Sequence, residues 1–203
     1  MKIVVLDGYV SNGGDQGWEP IAELGDLTVY DRTPHDKVVE RALGATALFT
    51  NKVVIDKEIL DQLPGLRFIG VLATGYNNVD VISARRHGVT VCNVPAYSTA
   101  SVVQNIFAHL LSITNETARH SQSVKAGDWT RCPDFSYRLT PLIELTGLTM
   151  GIYGLGSIGA QVAKIAQGFG MKVIALTSKV PWQLPGYITP VEKSELFEHS
   201  DVL

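Results

Sequence analysis

The sequence predicts an α/β chain: a parallel sheet with helices on both faces, then the first part of a second parallel unit. Two patterns carry this expectation. Strand and helix patterns alternate five times between Lys2 and Asn93 with short connections, the order that parallel strands with helical crossovers require. Each strand is a continuous apolar run rather than an alternating one, which fits burial on both faces. A third observation, a glycine-rich turn between a strand and a helix at Gly154–Gly159, opens the second unit.

Lys2 to Leu6 is the first strand, closed by Asp7-Gly8 and a glycine-bearing loop through residue 17. Trp18 to Leu24 is a helix with Pro20 in its first turn, where a missing N–H costs nothing. Leu27 to Tyr30 is a strand, Thr33-Pro34 opens a helix through Leu43, and Ala45 to Thr50 is a third strand. Asp56 to Leu63 is a helix stopped by Pro64-Gly65, and Arg67 to Leu72 a fourth strand. Asp80 is placed to cap the helix Val81–Arg86, Gly88 to end it, and Val89 to Asn93 is the fifth strand. This is the flavodoxin-like arrangement.

Pro95 breaks the pattern. Ser101 to Arg119 reads as one long helix with the apolar stripe Val102, Ile106, Leu110 and Ile113, widened by Val103, Phe107 and Leu111. Residues 120–140 read as polar and irregular. Then come a strand (Leu148–Tyr153), a helix (Ser157–Phe169), a strand (Lys172–Leu176), a proline-marked loop, a helix (Glu192–His199) and the first residues of a strand at Asp201–Leu203. The expected domains are residues 1–100 and residues 101–203, the second opening on the long helix and continuing with the second αβ pattern.

Composition excludes several classes. Seventeen Lys and Arg against twenty Asp and Glu leave a net charge of -3, without the basic surplus that non-specific nucleic-acid binding needs. Cys92 and Cys132 are too few for a disulfide scaffold or a cysteine zinc cluster and suit a reducing cytoplasm. The N-terminal apolar run is too short for a signal peptide. The uncharged stretch Leu145–Ala163 carries five glycines and parses as strand, turn and helix rather than as a membrane span.

Gly154-Leu155-Gly156-Ser157-Ile158-Gly159 fits G-x-G-x-x-G in the strand–turn–helix context that gives the pattern meaning. Gly154 serves the tight turn, Gly156 the approach of a pyrophosphate, and Gly159 close packing of helix on strand, with the helix N-terminus facing the phosphates. NAD enzymes hold an acid at the end of the following strand. Here Thr177-Ser178-Lys179 stands there, hydroxyls and a cation that accept a 2′-phosphate, so NADP is slightly favoured over NAD.

These residues together resemble the D-isomer-specific 2-hydroxyacid dehydrogenases, most closely the glycerate dehydrogenase (hydroxypyruvate reductase) branch. The matching stretches are Leu48–Lys52, Ile69–Asp80, Val91–Thr99, Gly127–Trp129 and Glu144–Gly159. The resemblance implies an oxidoreductase acting on D-2-hydroxy acids with NAD(P), a flavodoxin-like domain on the substrate side, a connecting helix and an incomplete NAD(P)-binding Rossmann domain over residues 101–203, and a homodimer built partly on that helix. It implies that backbone N–H groups of Ala73-Thr74-Gly75 hold the substrate carboxylate, the other reading being an ordinary turn. Asn51 and Lys52, on the same sheet edge, either contact substrate or are surface residues. Tyr97 is a substrate neighbour or a packing aromatic, and Trp129 a dimer-arm or core residue. Asn78 and Asp80 read as turn former and helix cap.

In the family an Arg, a Glu and a His polarise the carbonyl and move the proton. None of His35, His87, His109, His120 and His199 matches that His, so no catalytic residue is assigned. The expectation is a C-terminally truncated chain, inactive alone. A non-catalytic nucleotide-binding or corepressor-like module is the alternative. A flavodoxin-like FMN carrier is weaker, because residues 8–17 lack a Ser/Thr-rich phosphate loop.

Overall fold

The computed structural model describes residues 1–14 and 16–203; residue 15, within the loop expected over 8–17, lies outside them. The chain divides into two compact units, Met1–Tyr97 and Ser98–Leu203.

The first unit carries β1 (Lys2–Val5), α1 (Gly8–Ser11), α2 (Glu19–Ala22), β2 (Asp26–Val29), α3 (Val38–Ala42), β3 (Ala47–Thr50), α4 (Lys57–Asp61), β4 (Phe68–Val71), α5 (Val81–Arg86) and β5 (Thr90–Cys92). All strands are parallel, in the order β2-β1-β3-β4-β5. The central strands are buried almost throughout. The edge strands are not, because one flank of an edge strand meets no neighbour. Val4, Leu6, Leu48, Ile69 and Val71 pack with Val38, Ala42, Ile59, Leu60 and Ala84 from the helices as one core. Local signals place the helices. Asp56 Oδ1 accepts the Ile59 N–H at 3.0 Å and Asp80 Oδ1 the Ser83 N–H at 2.9 Å, each filling an unpaired donor of a first turn. The glycine after α5, Gly88, has φ +70°, the left-handed turn that ends a helix.

The second unit carries α6 (Thr99–Asn115), α7 (Thr117–Lys125), α8 (Asp128–Arg131), β6 (Thr149–Tyr153), α9 (Ser157–Gly168), β7 (Lys172–Leu176), β8 (Ile188–Pro190) and α10 (Lys193–His199). The sheet order is β6-β7-β8, all parallel. Val202 bridges Met150 on the opposite flank of β6, and the Gly151 N–H donates to the Val202 carbonyl at 2.7 Å. The chain therefore winds outward from β6 in both directions, the start of a Rossmann sheet. Val103, Phe107 and Leu110 of α6 pack with Met150, Ile152, Val162, Ala163, Ala166, Val173 and Ala175.

Four sequence expectations need correction here. The helix expected over 101–119 breaks at Glu116, whose φ of 44° is left-handed and ends the run. The buried stripe of α6 is Thr99, Val103, Phe107, Leu110 and Thr114. It is rotated from the expected one, so that Val102 and Ile113 are exposed. Several apolar residues of α6 compete for one face, and helical period alone cannot choose among overlapping stripes. Residues 120–140, expected irregular, hold the end of α7 and all of α8. The proline loop contains β8, which tolerates Pro190 because it is an edge strand and Pro190 its last residue.

Candidate functional site

Two loops, one in each unit, leave backbone donors open at the C-terminal ends of parallel strands. In the second unit β6 runs into Gly154, whose φ of +97° turns the chain and whose N–H donates to the Leu176 carbonyl at 2.9 Å. A Cβ on Gly154 or on Gly156 would meet open space. A Cβ on Gly159 would lie 2.3 Å from the Gly154 carbonyl oxygen and 3.0 Å from an Ile152 methyl. The three glycines thus do different work: a left-handed turn, an open approach, and contact of α9 with β6. Among the described residues, the N–H groups of Gly156, Ser157 and Ile158 have no hydrogen-bond partner. They sit at the N-terminus of a twelve-residue helix, where the backbone dipoles favour an anion. Ser157 and Ile158 are exposed, while Leu155 is buried and anchors the turn in the core.

The cavity beside this turn has a volume of about 570 Å³ and is lined by Tyr153, Gly154, Leu155, Gly156, Leu176, Thr177, Ser178 and Lys179. Among the described residues no carboxylate lines it. Thr177 Oγ1 accepts the Lys179 N–H at 3.2 Å, which folds the three residues into a small hydroxyl-bearing turn at the end of β7. Open space at Gly156, free donors and a cavity at the strand ends fit a dinucleotide's phosphates and adenosine ribose.

In the first unit Ala73, Thr74 and Gly75 follow β4. Among the described residues their N–H groups have no hydrogen-bond partner. The loop is held from its other side: Thr74 Oγ1 donates to the Val94 carbonyl at 3.0 Å, Asn93 Nδ2 to the Thr74 carbonyl at 2.7 Å, and the Val94 N–H to the Ala73 carbonyl at 3.1 Å. The carbonyls of Ala73 and Thr74 are thus engaged, while the three N–H donors stay open. A Cβ on Gly75 would meet only Asn77 Oδ1, at 3.9 Å. Asn51 donates from Nδ2 to the Leu72 carbonyl at 2.9 Å, tying the end of β3 to the end of β4. Asn78 Nδ2 donates to the Val53 carbonyl at 3.1 Å, and the Ile55 N–H to the Asn78 carbonyl at 2.7 Å. Lys52 and Tyr97 present exposed side chains.

The comparisons with known proteins decide between families that share such turns. Residues 3–150 match the D-isomer specific 2-hydroxyacid dehydrogenase catalytic domain, and residues 107–203 its NAD binding domain. The chain belongs to this dehydrogenase family. It is 45% identical over 207 residues to a hydroxypyruvate reductase of Blautia hydrogenotrophica, covering 100% of this chain and 64% of that protein. It is 36% identical over 140 residues to a glycerate dehydrogenase of Methylorubrum extorquens, covering 69% of this chain and 45% of that protein. Among solved structures, an acyclic imino acid reductase (Bsp5) in complex with NADPH and D-Arg superposes with a TM-score of 0.79 at 27% identity, over 99% of this chain and 63% of that one. The TT0316 protein from Thermus thermophilus gives 0.80 at 26% identity, over 99% and 63%. The chain thus spans from 45% to 64% of the length of these relatives.

One residue of this chain gave no functional signal in its sequence. Asp7, only 3% exposed, lies two residues past the end of β1 and accepts N–H groups from Asn51 (2.8 Å), Lys52 (2.6 Å) and Val53 (3.2 Å). It fixes the loop that carries Asn51 and Lys52. The structural signal was a lone acid directly after an apolar run, where burial demands partners. The histidines lie elsewhere. His87 bridges Asp61 (3.0 Å) and the Ser83 carbonyl (2.8 Å). His120 bonds the Glu116 carbonyl and the Leu139 N–H. His109 and His199 are exposed on α6 and α10, and His35 sits near Asp56. Among the described residues no helix is long and apolar enough to cross a membrane.

Proposed function

We propose that this chain is the substrate-loop and cofactor-turn portion of an NAD(P)-dependent oxidoreductase that interconverts a small D-2-hydroxy acid and its 2-keto acid. A glycerate/hydroxypyruvate pair is the reading that the 45% identical relative supports. The observation that carries it is the open turn at Gly154–Gly159, with Gly156, Ser157 and Ile158 donors free beside a cavity of dinucleotide-compatible size. A bound nicotinamide cofactor supplies or accepts the hydride. The N–H groups of Ala73, Thr74 and Gly75 hold the substrate carboxylate without adding charge. Lys52 and Tyr97 contact the substrate from neighbouring loops, and Asn51 positions Lys52 through its bond to the Leu72 carbonyl.

NADP is preferred over NAD. Thr177, Ser178 and Lys179 line the cavity where an acid would repel a 2′-phosphate, and among the described residues no acid lines it. The imino acid reductase that superposes on this chain was solved with NADPH. A homodimer is the proposed assembly, supported by the exposed apolar side chains of Val102 and Ile113 on α6 and of Trp129 and Phe135 beyond it. The cysteine content supports a cytoplasmic location, and the charge balance supports a small-molecule partner over nucleic acid.

Protonating the forming alkoxide needs an acid within hydrogen-bond reach. Among the described residues no histidine lies in the Ala73–Gly75 loop or in the Gly154–Gly159 turn. This favours binding without turnover by the 203-residue chain. The deciding experiment measures NADPH and NADH binding by calorimetry, then NADPH oxidation with hydroxypyruvate, glyoxylate and pyruvate. Both use this chain and one extended to the relatives' length. Binding by both chains with turnover only by the longer one supports the reading. Absence of binding by either chain overturns it.

A further inference from the structure

At the other flank of the first sheet lies a cavity that the cofactor turn and the β4 loop do not use. Its volume is about 480 Å³, and it opens at the C-terminal ends of β1, β2 and β3. The order β2-β1-β3-β4-β5 reverses direction between β1 and β3, the switch point where open α/β sheets bind ligands. Asp7 and Lys52, one residue from each of these strand ends, line it.

The lining chemistry is mixed in a directed way. Arg32 and Lys52 supply two cations, and among the described residues neither side chain has an ion-pair or hydrogen-bond partner. The Arg32 guanidinium lies 4.4 Å from the centre of the Tyr9 ring, a stacking that orients the group and leaves its N–H edge free. The Asp7 charge is already taken up by the N–H groups of Asn51, Lys52 and Val53. His35 faces Asp56 at 3.6 Å on the rim. Val10, Val53 and Val54 form an apolar wall, with Val10 and Val54 exposed. An exposed apolar wall beside two unpaired cations suits a small molecule with an anionic head and a short hydrocarbon body.

We propose that this cavity binds a small organic anion, a carboxylate or phosphate ester of about three to five carbons, at a site beside the proposed substrate loop that meets it only at Lys52. Arg32 holds the head in a planar fork, Lys52 adds a point charge, and the valines cover the body. Lys52 belongs to the loop that Asp7 clamps, so occupancy of the cavity bears on the position of Asn51 as well.

The test is a methyl-resolved NMR titration of the 203-residue chain with succinate, glycerol 3-phosphate and inorganic phosphate, against sodium chloride at matched ionic strength. Val10, Val53 and Val54 methyls are expected to shift with one of the organic anions and to stay put with chloride. The carboxylate and phosphate arms identify the head group, and inorganic phosphate is expected to bind more weakly for want of a body. Arg32→Gln, an exposed position, is expected to weaken binding about tenfold, the scale of one charge-assisted hydrogen bond. Gly75→Val, which crowds the β4 loop, is expected to leave it unchanged. Valine methyls that do not respond, an equal response to chloride, or binding lost in Gly75→Val but kept in Arg32→Gln would each overturn the proposal.

Discussion

The Asp7 carboxylate accepts the Lys52 N–H at 2.6 Å, joining the C-terminal ends of β1 and β3. Asn51 and Val53 donate to the same carboxylate. This is a buried anion neutralised by backbone donors rather than by a cation. Asp7→Ala leaves those donors unpaired and is expected to cost about 3 kcal/mol of stability. Asp7→Asn keeps the shape and one acceptor and is expected to cost less. Urea unfolding of the two variants measures the difference, and equal midpoints for Asp7→Ala and the parent chain would remove Asp7 from its role as a clamp.

The glycine turn separates folding from binding at two positions. Gly159→Ala places a methyl 2.3 Å from the Gly154 carbonyl oxygen, so α9 must move off β6. A stability loss of about 1–3 kcal/mol is expected. Gly156→Val projects into open space, so the thermal midpoint should hold while NADPH binding falls. Differential scanning fluorimetry with and without NADPH reads both effects, and a Gly156→Val chain that binds like the parent contradicts the phosphate assignment.

Why some of this was legible in the sequence and some was not follows from how each feature is encoded. The strands of the first sheet, the cap at Asp80 and the glycine turn are local: an apolar run, one acid before a helix, three glycines at fixed spacing. The buried face of α6 is not local. Val102, Val103, Ile106 and Phe107 satisfy two overlapping stripes, and contact with β6 and α9 chooses Val103 and Phe107. The break at Glu116 left no glycine or proline as a marker. The Asp7 clamp joins residues more than forty positions apart, a separation at which a single sequence carries no pairing signal.

The two faces of α6 predict opposite outcomes for two substitutions. Phe107 is buried and stacks on Phe169 with ring centres 5.5 Å apart. Phe107→Ala is expected to cost about 3–5 kcal/mol. Ile113 is 71% exposed, and Ile113→Lys should change the monomer's stability by no more than about 0.5 kcal/mol. If Ile113 lies in the proposed dimer interface, the same substitution shifts the chain towards monomer. Sedimentation velocity at several concentrations checks this, and an unchanged distribution excludes Ile113 from the interface.

Asp128 ties α8 to its surroundings. Ser123 donates to Asp128 Oδ2, Tyr137 donates to Ser123 Oγ at 3.0 Å, and Arg131 donates to Asp128 Oδ1 at 2.7 Å. The Ser123 hydrogen bond, followed by that of Arg131, holds the Asp128 carboxyl below the ordinary aspartate value. The stabilisation from this group is therefore complete above that ordinary value, about 3.9 in an unfolded chain. It is lost as pH falls through the lowered folded value. Trp129 packs edge-on against Tyr137 at 6.3 Å, so its indole N–H resonance should hold its position down to the ordinary aspartate range and move only below it. Asp128→Asn should abolish that acid transition, and its persistence in the variant would assign it to another group.

The proposed NADP preference turns on one position at the end of β7. Thr177 accepts the Lys179 N–H at 3.2 Å and lines the cavity beside the glycine turn. A carboxylate there pairs with a ribose 2′-hydroxyl and repels a 2′-phosphate. Thr177→Asp is expected to weaken NADPH binding and strengthen NADH binding, for a change in their ratio of about tenfold or more, equivalent to about 1.4 kcal/mol. Lys179→Ala should weaken NADPH alone, because the 2′-phosphate is the only group in the pair that needs the added cation. Half-buried Thr177 lies outside the core, so both variants are expected to unfold at the parent's temperature, and the change is read as affinity. Calorimetric titration of NADH and NADPH into each variant measures the ratio. A Thr177→Asp chain that keeps the parent's ratio would place the 2′ position of the ribose away from β7, and the NADP preference would fall with it.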